Sequence, residues 1–166
     1  MKEERDLICI YSKLFRSLKS LYLWAKMSSK KPYLFDFADL GSDETGALNV
    51  AEFASTLPFE LKRVYWVYNT PKDISRGNAA NRASKYALIC LKGTAKVHLE
   101  DMQSNSFHFD LSKPNEGLYI PELHWRRIQL SEDAIMLCIA SEKFDQRDYI
   151  RDFREFMLLK KQKRNL

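Results

Sequence analysis

The side chains able to move protons or hold anions fall into a few short stretches of the chain. Arg63 and Tyr65 lie two residues apart in Lys62-Arg63-Val64-Tyr65-Trp66-Val67, a spacing that puts both on one face of a strand. A phenol at that place can hydrogen-bond a polar ligand or donate a proton; the plainer alternative is a core tyrosine with a satisfied hydroxyl. Arg76 and Arg82 bracket Gly77-Asn78-Ala79-Ala80-Asn81. A guanidinium can grip an oxyanion through paired hydrogen bonds, or form a surface ion pair of little energetic weight. His124 and Arg126 flank Trp125, so in a strand they share a face. His98 alternates with Val97 and Leu99, and His108 with Phe107 and Phe109, which turns both histidines toward solvent. The three histidines lack the spacing of a metal site.

These groups must be positioned by short strands. Residues 46–53, 62–69, 85–91, 95–100, 106–111, 117–120, 125–129 and 134–140 are rich in β-branched and aromatic residues. Turn formers such as Thr70-Pro71-Lys72-Asp73, Lys92-Gly93 and Lys113-Pro114-Asn115 separate them. Such spacing predicts an antiparallel sandwich or jelly roll. Residues 145–161 read as a closing helix, with Tyr149, Phe153, Phe156 and Met157 along one side and lysines at its end. Residues 6–26 read as an amphipathic helix on Leu7, Tyr11, Leu14, Leu18, Leu21 and Ala25. The chain therefore divides into a basic helix and linker over 1–32 and a folded domain over 33–166.

Charge and cysteine usage limit the partners. Residues 1–32 carry eight Lys/Arg against three Asp/Glu, and the remaining nineteen of each sign balance. The tail Lys160, Lys161, Lys163 and Arg164 is basic, which leaves residues 33–158 at −4. Nucleic-acid binding needs a basic stripe across the folded body, so none is expected. The basic N-terminal helix can dock on its own domain, on a dimer mate or on a membrane surface, and the last is the least favoured. No stretch reaches the roughly 18 apolar residues of a membrane span. Cys9, Cys90 and Cys138 are odd in number and widely spaced, which fits free thiols in a reducing cytoplasm.

Several blocks, in order, resemble the cupin-type 3,4-ketoisomerases that act on dTDP-4-keto-6-deoxyhexoses. They are Leu57-Pro58-Phe59-Glu60-Leu61-Lys62-Arg63-Val64-Tyr65-Trp66-Val67-Tyr68, then Arg76-Gly77 through Arg82, then Tyr86-Ala87-Leu88-Ile89-Cys90-Leu91 with Lys92-Gly93. Gly117-Leu118-Tyr119-Ile120-Pro121 with Trp125, and Asp148-Tyr149-Ile150-Arg151-Asp152-Phe153, follow. The resemblance spans roughly residues 46 to 157. It implies an all-β fold, a cupin-type antiparallel jelly roll, here with an N-terminal amphipathic helix and a C-terminal helix. It also implies a homodimer that exchanges an N-terminal strand, no metal or other cofactor, and a place in making deoxyamino sugars for surface polysaccharides.

The activity implied moves a sugar carbonyl from C4 to C3 through an enediol, using a base, an acid and a donor to the oxyanion. The pattern that the resemblance implies opens with Arg-Gly and continues x-His-Ala-His, or x-His-Ala-Asn in a related branch. Ala79 occupies the position of the expected base, and Asn81 that of the second histidine. A third position, histidine or arginine in the family, is Arg126. Alanine cannot move a proton, and asparagine only donates or accepts hydrogen bonds. His124, on the face of Arg126, is the best substitute base, and Tyr65 a proton donor. Arg63, Arg76, Arg82, Arg126 and Thr45 are the implied substrate-binding positions. Two expectations follow: an isomerase with a replacement base, or a noncatalytic sugar-nucleotide-binding or partner protein of the same pathway. A metal-dependent cupin oxygenase or epimerase is disfavoured by the missing His-x-His pair.

Overall fold

The computed structural model describes residues 29–42, 44–53 and 55–164; the helix expected over 6–26 lies outside them. In chain order the first strands are β1 (Tyr33–Asp36), β2 (Leu40–Ser42), β3 (Gly46–Leu48), β4 (Arg63–Val67), β5 (Arg76–Asn81) and β6 (Tyr86–Lys92). They are followed by β7 (Ala95–Glu100), β8 (Ser106–Leu111), β9 (Glu116–Ile120), β10 (Trp125–Leu130), β11 (Ile135–Ala140) and β12 (Tyr149–Ile150). A helix, α1 (Phe153–Arg164), closes the described chain.

The strands form two five-stranded antiparallel sheets, in the orders β1-β9-β6-β11-β4 and β12-β5-β10-β7-β8, with β2 and β3 as a separate hairpin. The two sheets pack face to face as the expected jelly roll. Alternation along each strand decides what lies between them. Tyr86, Leu88 and Cys90 of β6 point inward with Leu118 and Ile120 of β9, Met136 and Cys138 of β11, and Val97, Leu99, Leu111 and Ile128 from the other sheet. Each fully buried Leu or Ile there contributes about 1.5–3 kcal/mol.

The first sheet is covered on its outer face as well. Ala87, Ile89, Tyr119 and Ile139 point outward under Phe35, Phe37, Leu57 and Phe59. Gly117 is required here, because a Cβ would stand 2.4 Å from the Phe35 ring. This double coverage explains why Tyr86-Ala-Leu-Ile-Cys reads as an unbroken apolar run.

The second sheet carries α1 on its outer face, where Phe156, fully buried, packs with Trp125, Ala80 and Ile150. The chain departs here from the helix expected over 145–161. Residues Gln146–Asp148 form a 3-10 turn, and β12 then pairs Tyr149 with Asn81 and Ile150 with Ala80. The helix begins only at Phe153, after Asp152 has accepted a hydrogen bond from the Arg154 amide at 2.8 Å. Tertiary pairing thus takes Tyr149 out of the helical pattern its spacing suggested. The strand expected over 46–53 is likewise shortened to β3, paired with β2.

One irregularity sets the site. In β5 the partner of Arg127 is Gly77 and that of Arg126 is Ala79, so Asn78 is an extra, bulged residue. Gly77 and Asn78 both have positive φ (82° and 46°), and a Cβ on Gly77 would meet the Arg126 carbonyl oxygen at 2.9 Å. The bulge reverses the alternation, placing Ala79 and Asn81 on the inward face with Arg126 and Ala80 against α1.

Candidate active site at the barrel mouth

Polar side chains gather at one end of the barrel, where β4, β6 and β10 begin and β5 and β11 end. Arg126 is buried, donates to Asn81 Oδ1 at 2.7 Å, and lies over the Tyr86 ring with its guanidinium carbon 4.6 Å from the centroid. Asn81 in turn donates from Nδ2 to Asp148 Oδ2 at 2.7 Å. Both ends of the amide are therefore engaged, and its orientation is fixed. Asp148 also accepts from the Ala83 amide at 2.7 Å and from the Ser84 hydroxyl. Burial alone would raise the Asp148 pKa, but these bonds outweigh it and hold the carboxyl below its ordinary range.

A second group adjoins the first. Arg63 donates to the Tyr86 hydroxyl at 3.0 Å and to the Tyr149 hydroxyl at 3.3 Å, and the two phenols are 3.4 Å apart. Tyr65, across the ladder from Cys138, lies 5.4 Å below the Arg63 guanidinium at its ring centroid. Burial pushes the Tyr86 phenol up to about 12, against the pull of Arg126, and pushes Tyr65 higher still. Both remain neutral proton donors at neutral pH. Phe144, 64% exposed, stands 5.7 Å from Arg63 and 5.8 Å from Tyr149 at the rim.

Among the described residues, two buried side-chain nitrogens have no partner: Arg63 Nε and His124 Nε2. Such atoms are rare in a native interior and call for a reason. His124 is 4% exposed, and its Nδ1–H donates to the Glu122 carbonyl at 3.0 Å. That bond leaves the lone pair on Nε2, and burial lowers the imidazole pKa so that the ring stays neutral.

Arg63, Tyr65, Ala79, Asn81 and Arg126 are thus brought together, with His124 at the same end of β10. Three other sequence-derived positions lie elsewhere. Arg76 is exposed at the far end of β5, its Nε 3.3 Å from Thr70 Oγ1. Arg82 is ion-paired with Glu155 on the surface. Thr45 sits in the exposed β2–β3 turn, accepting from the Ser42 amide at 3.0 Å. Sequence reasoning missed Tyr86, Tyr149, Asp148 and Phe144 as members. Tyr86 was hidden in an apolar run and Tyr149 in a helical pattern; the acidic start of the Asp148 block was the one available signal. Trp125 and Tyr119 are buried on outer faces, away from the mouth. His98 and His108 lie on the outer face of the second sheet, and no group of three metal-binding side chains occurs among the described residues.

A two-sheet antiparallel jelly roll with an inward cluster of arginines, tyrosines and an amide at one mouth defines a cupin-type protein. The chain belongs to the family described as FdtA, WxcM-like, C-terminal, whose model matches residues 30–161. It is 33% identical over 115 residues to the TDP-4-oxo-6-deoxy-alpha-D-glucose-3,4-oxoisomerase of Aneurinibacillus thermoaerophilus, covering 69% of this chain and 82% of that one. It is also similar to the sugar 3,4-ketoisomerase QdtA of Thermoanaerobacterium thermosaccharolyticum, solved with TDP (TM-score 0.75, 32% identity, 81% of this chain and 97% of that one). A histidine-to-asparagine variant of QdtA, solved with TDP-4-keto-6-deoxyglucose, matches equally (TM-score 0.75, 32% identity, 81% and 96% coverage).

Proposed function

We propose that the barrel mouth binds a dTDP-linked 4-keto-6-deoxy sugar and moves its carbonyl from C4 to C3, with His124 as the base. The observation that carries this reading is the inward cluster of Arg63, Tyr65, Tyr86, Asn81 and Arg126 in a chain whose relatives are named for that reaction.

In this mechanism the C4 ketone acidifies the C3 proton. His124 Nε2 takes that proton, and the electrons of the C–H bond form the C3–C4 double bond of an enediolate whose oxyanion is on C4. Arg126 supplies fixed positive charge to that oxygen, and its bonds to Asn81 and stacking on Tyr86 hold it in place before the reaction. The imidazolium returns its proton to C4, the O3 proton passes to O4 through a phenol such as Tyr65, and the carbonyl is left on C3. The step is balanced without a redox partner. Arg63, with Nε unpartnered, suits the pyrophosphate, and exposed Phe144 suits a planar base.

The site works in a homodimer. Strand β4 is a sheet edge whose outward Val64 and Trp66, with the following Tyr68, are 45%, 61% and 56% exposed. The setting is the cytoplasm, in the making of deoxyamino sugars for surface polysaccharides. Burial of the free thiols Cys90 and Cys138 supports a reducing compartment.

The test is proton NMR of dTDP-4-keto-6-deoxyglucose in deuterated water with the purified protein. Loss of the C3 proton signal with a 3-keto product is expected. Line broadening without exchange would replace the isomerase by a binding protein, and no broadening would remove the ligand itself.

A further inference from the structure

Adjacent residues Arg126 and Arg127 point to opposite faces of the second sheet. Arg126 serves the barrel mouth, whereas Arg127 opens onto a separate cavity of about 780 Å³ on the outer face, a size typical of small-molecule sites. Strands β7, β8 and β10 line it with Lys96, His98, His108, Asp110, Arg127 and Gln129.

The lining is cationic and organised. His98 and His108 are direct cross-strand partners with ring centroids 4.5 Å apart, and the hydrogen bond between His98 Nε2 and Ser106 Oγ at 2.7 Å orients the first ring. None of the ion pairs among the described residues includes Lys96 or Arg127, so their charges meet no carboxylate at bonding distance. Around His98 stand His108 on β8, Arg127 on β10 and Glu100 on its own strand, and the same cavity holds Lys96 on β7 and its cross-strand partner Asp110 on β8. Burial, followed by the His108 and Arg127 charges, lowers the His98 pKa, and Glu100 works against them. Two cations beside two imidazoles disfavour a metal cation and favour an oxyanion. Asp110 and Gln129 supply acceptors that a bare phosphate would not use and that sugar hydroxyls would.

We propose that this outer cavity is a second binding site, for a small phosphorylated sugar, with the phosphoryl group on Lys96, Arg127 and the histidine pair and the hydroxyls on Asp110 and Gln129. It does not depend on the barrel-mouth reading.

The chain's three histidines make the test direct. Their Cε1–H resonances are followed by proton NMR while the full chain is titrated with glucose 1-phosphate, with inorganic phosphate, and with sodium chloride at matched ionic strength. Glucose 1-phosphate is expected to shift the His98 and His108 resonances saturably and to saturate at a lower concentration than inorganic phosphate. Lys96→Gln combined with His108→Asn should abolish saturation at His98 while other resonances stay in place. Linear shifts matched by chloride would overturn the site. Equal affinity for inorganic phosphate would overturn the sugar part, and movement of His124 alone would assign the phosphate to the barrel mouth. A titration with TDP read at His124 tests the mouth separately.

Discussion

Ala79 stands directly across the β5–β10 ladder from Arg126, buried and on the same inward face as the guanidinium. A methyl group therefore occupies the place where the resemblance implies a histidine. An imidazole there would lie beside a fixed cation and remain largely neutral at pH 7. Ala79→His is expected to raise C3 deuterium exchange by about 100-fold, measured by NMR on the keto sugar. An unchanged rate with substrate still bound would mean that the base sits correctly elsewhere already.

His124 supplies the converse test. In His124→Asn the side-chain amide can still donate to the Glu122 carbonyl, so the local fold is retained while the Nε2 lone pair is lost. Exchange should fall by about 100-fold or more, with little change in thermal midpoint. Because burial lowers the His124 pKa, the ring stays neutral below its ordinary value, and the acid limb of kcat/KM should fall below about pH 6.5. The same sign applies to stability. The unfolded chain binds this proton more readily, so the contribution of neutral His124 is complete above about pH 6.5 and declines as pH drops through the folded value.

Asp148 is the anchor of the site. Asp148→Asn forfeits charge-assisted bonds from Asn81, Ser84 and the Ala83 amide and should cost roughly 2 kcal/mol. A thermal midpoint about 4–8 °C lower is expected by calorimetry. Since the folded carboxyl titrates below its ordinary range, its contribution is complete above about pH 4 and is lost as pH falls through the folded value. A midpoint difference that persists unchanged at pH 3 would contradict this role.

Trp66, 61% exposed on the edge strand β4, tests the dimer. Trp66→Glu places a charge in the apolar edge and should weaken self-association by about 100-fold, read by sedimentation equilibrium. An unchanged mass at all concentrations would remove this edge from the interface.

The fold was legible because the strands carry their turns with them. The ends of β7 and β8 fall where alternation put them, and those of β6, β10 and β11 within a residue or so. The C-terminal segment was not legible. Tyr149, Phe153 and Phe156 keep helical spacing, yet Tyr149 and Ile150 are captured by Asn81 and Ala80, some seventy residues earlier in the chain. The pairing of Arg63 with Tyr65 and the inward placing of Arg126 could be read from two-residue periodicity. Tyr86 could not, because a strand buried on both faces loses the alternation that marks a polar pocket.

The extra residue at Asn78 has a further meaning for how this chain is compared with others. On either side of it the cross-strand partners keep their places, Gly77 with Arg127 and Ala79 with Arg126. The bulge thus works as an expansion joint. A homologue one residue shorter between Arg76 and Ala79 could close the gap as a regular strand and still deliver the same two positions to the mouth. Counting residues from the arginine would then assign the wrong side chain to the reaction, whereas counting back from the partner strand would not.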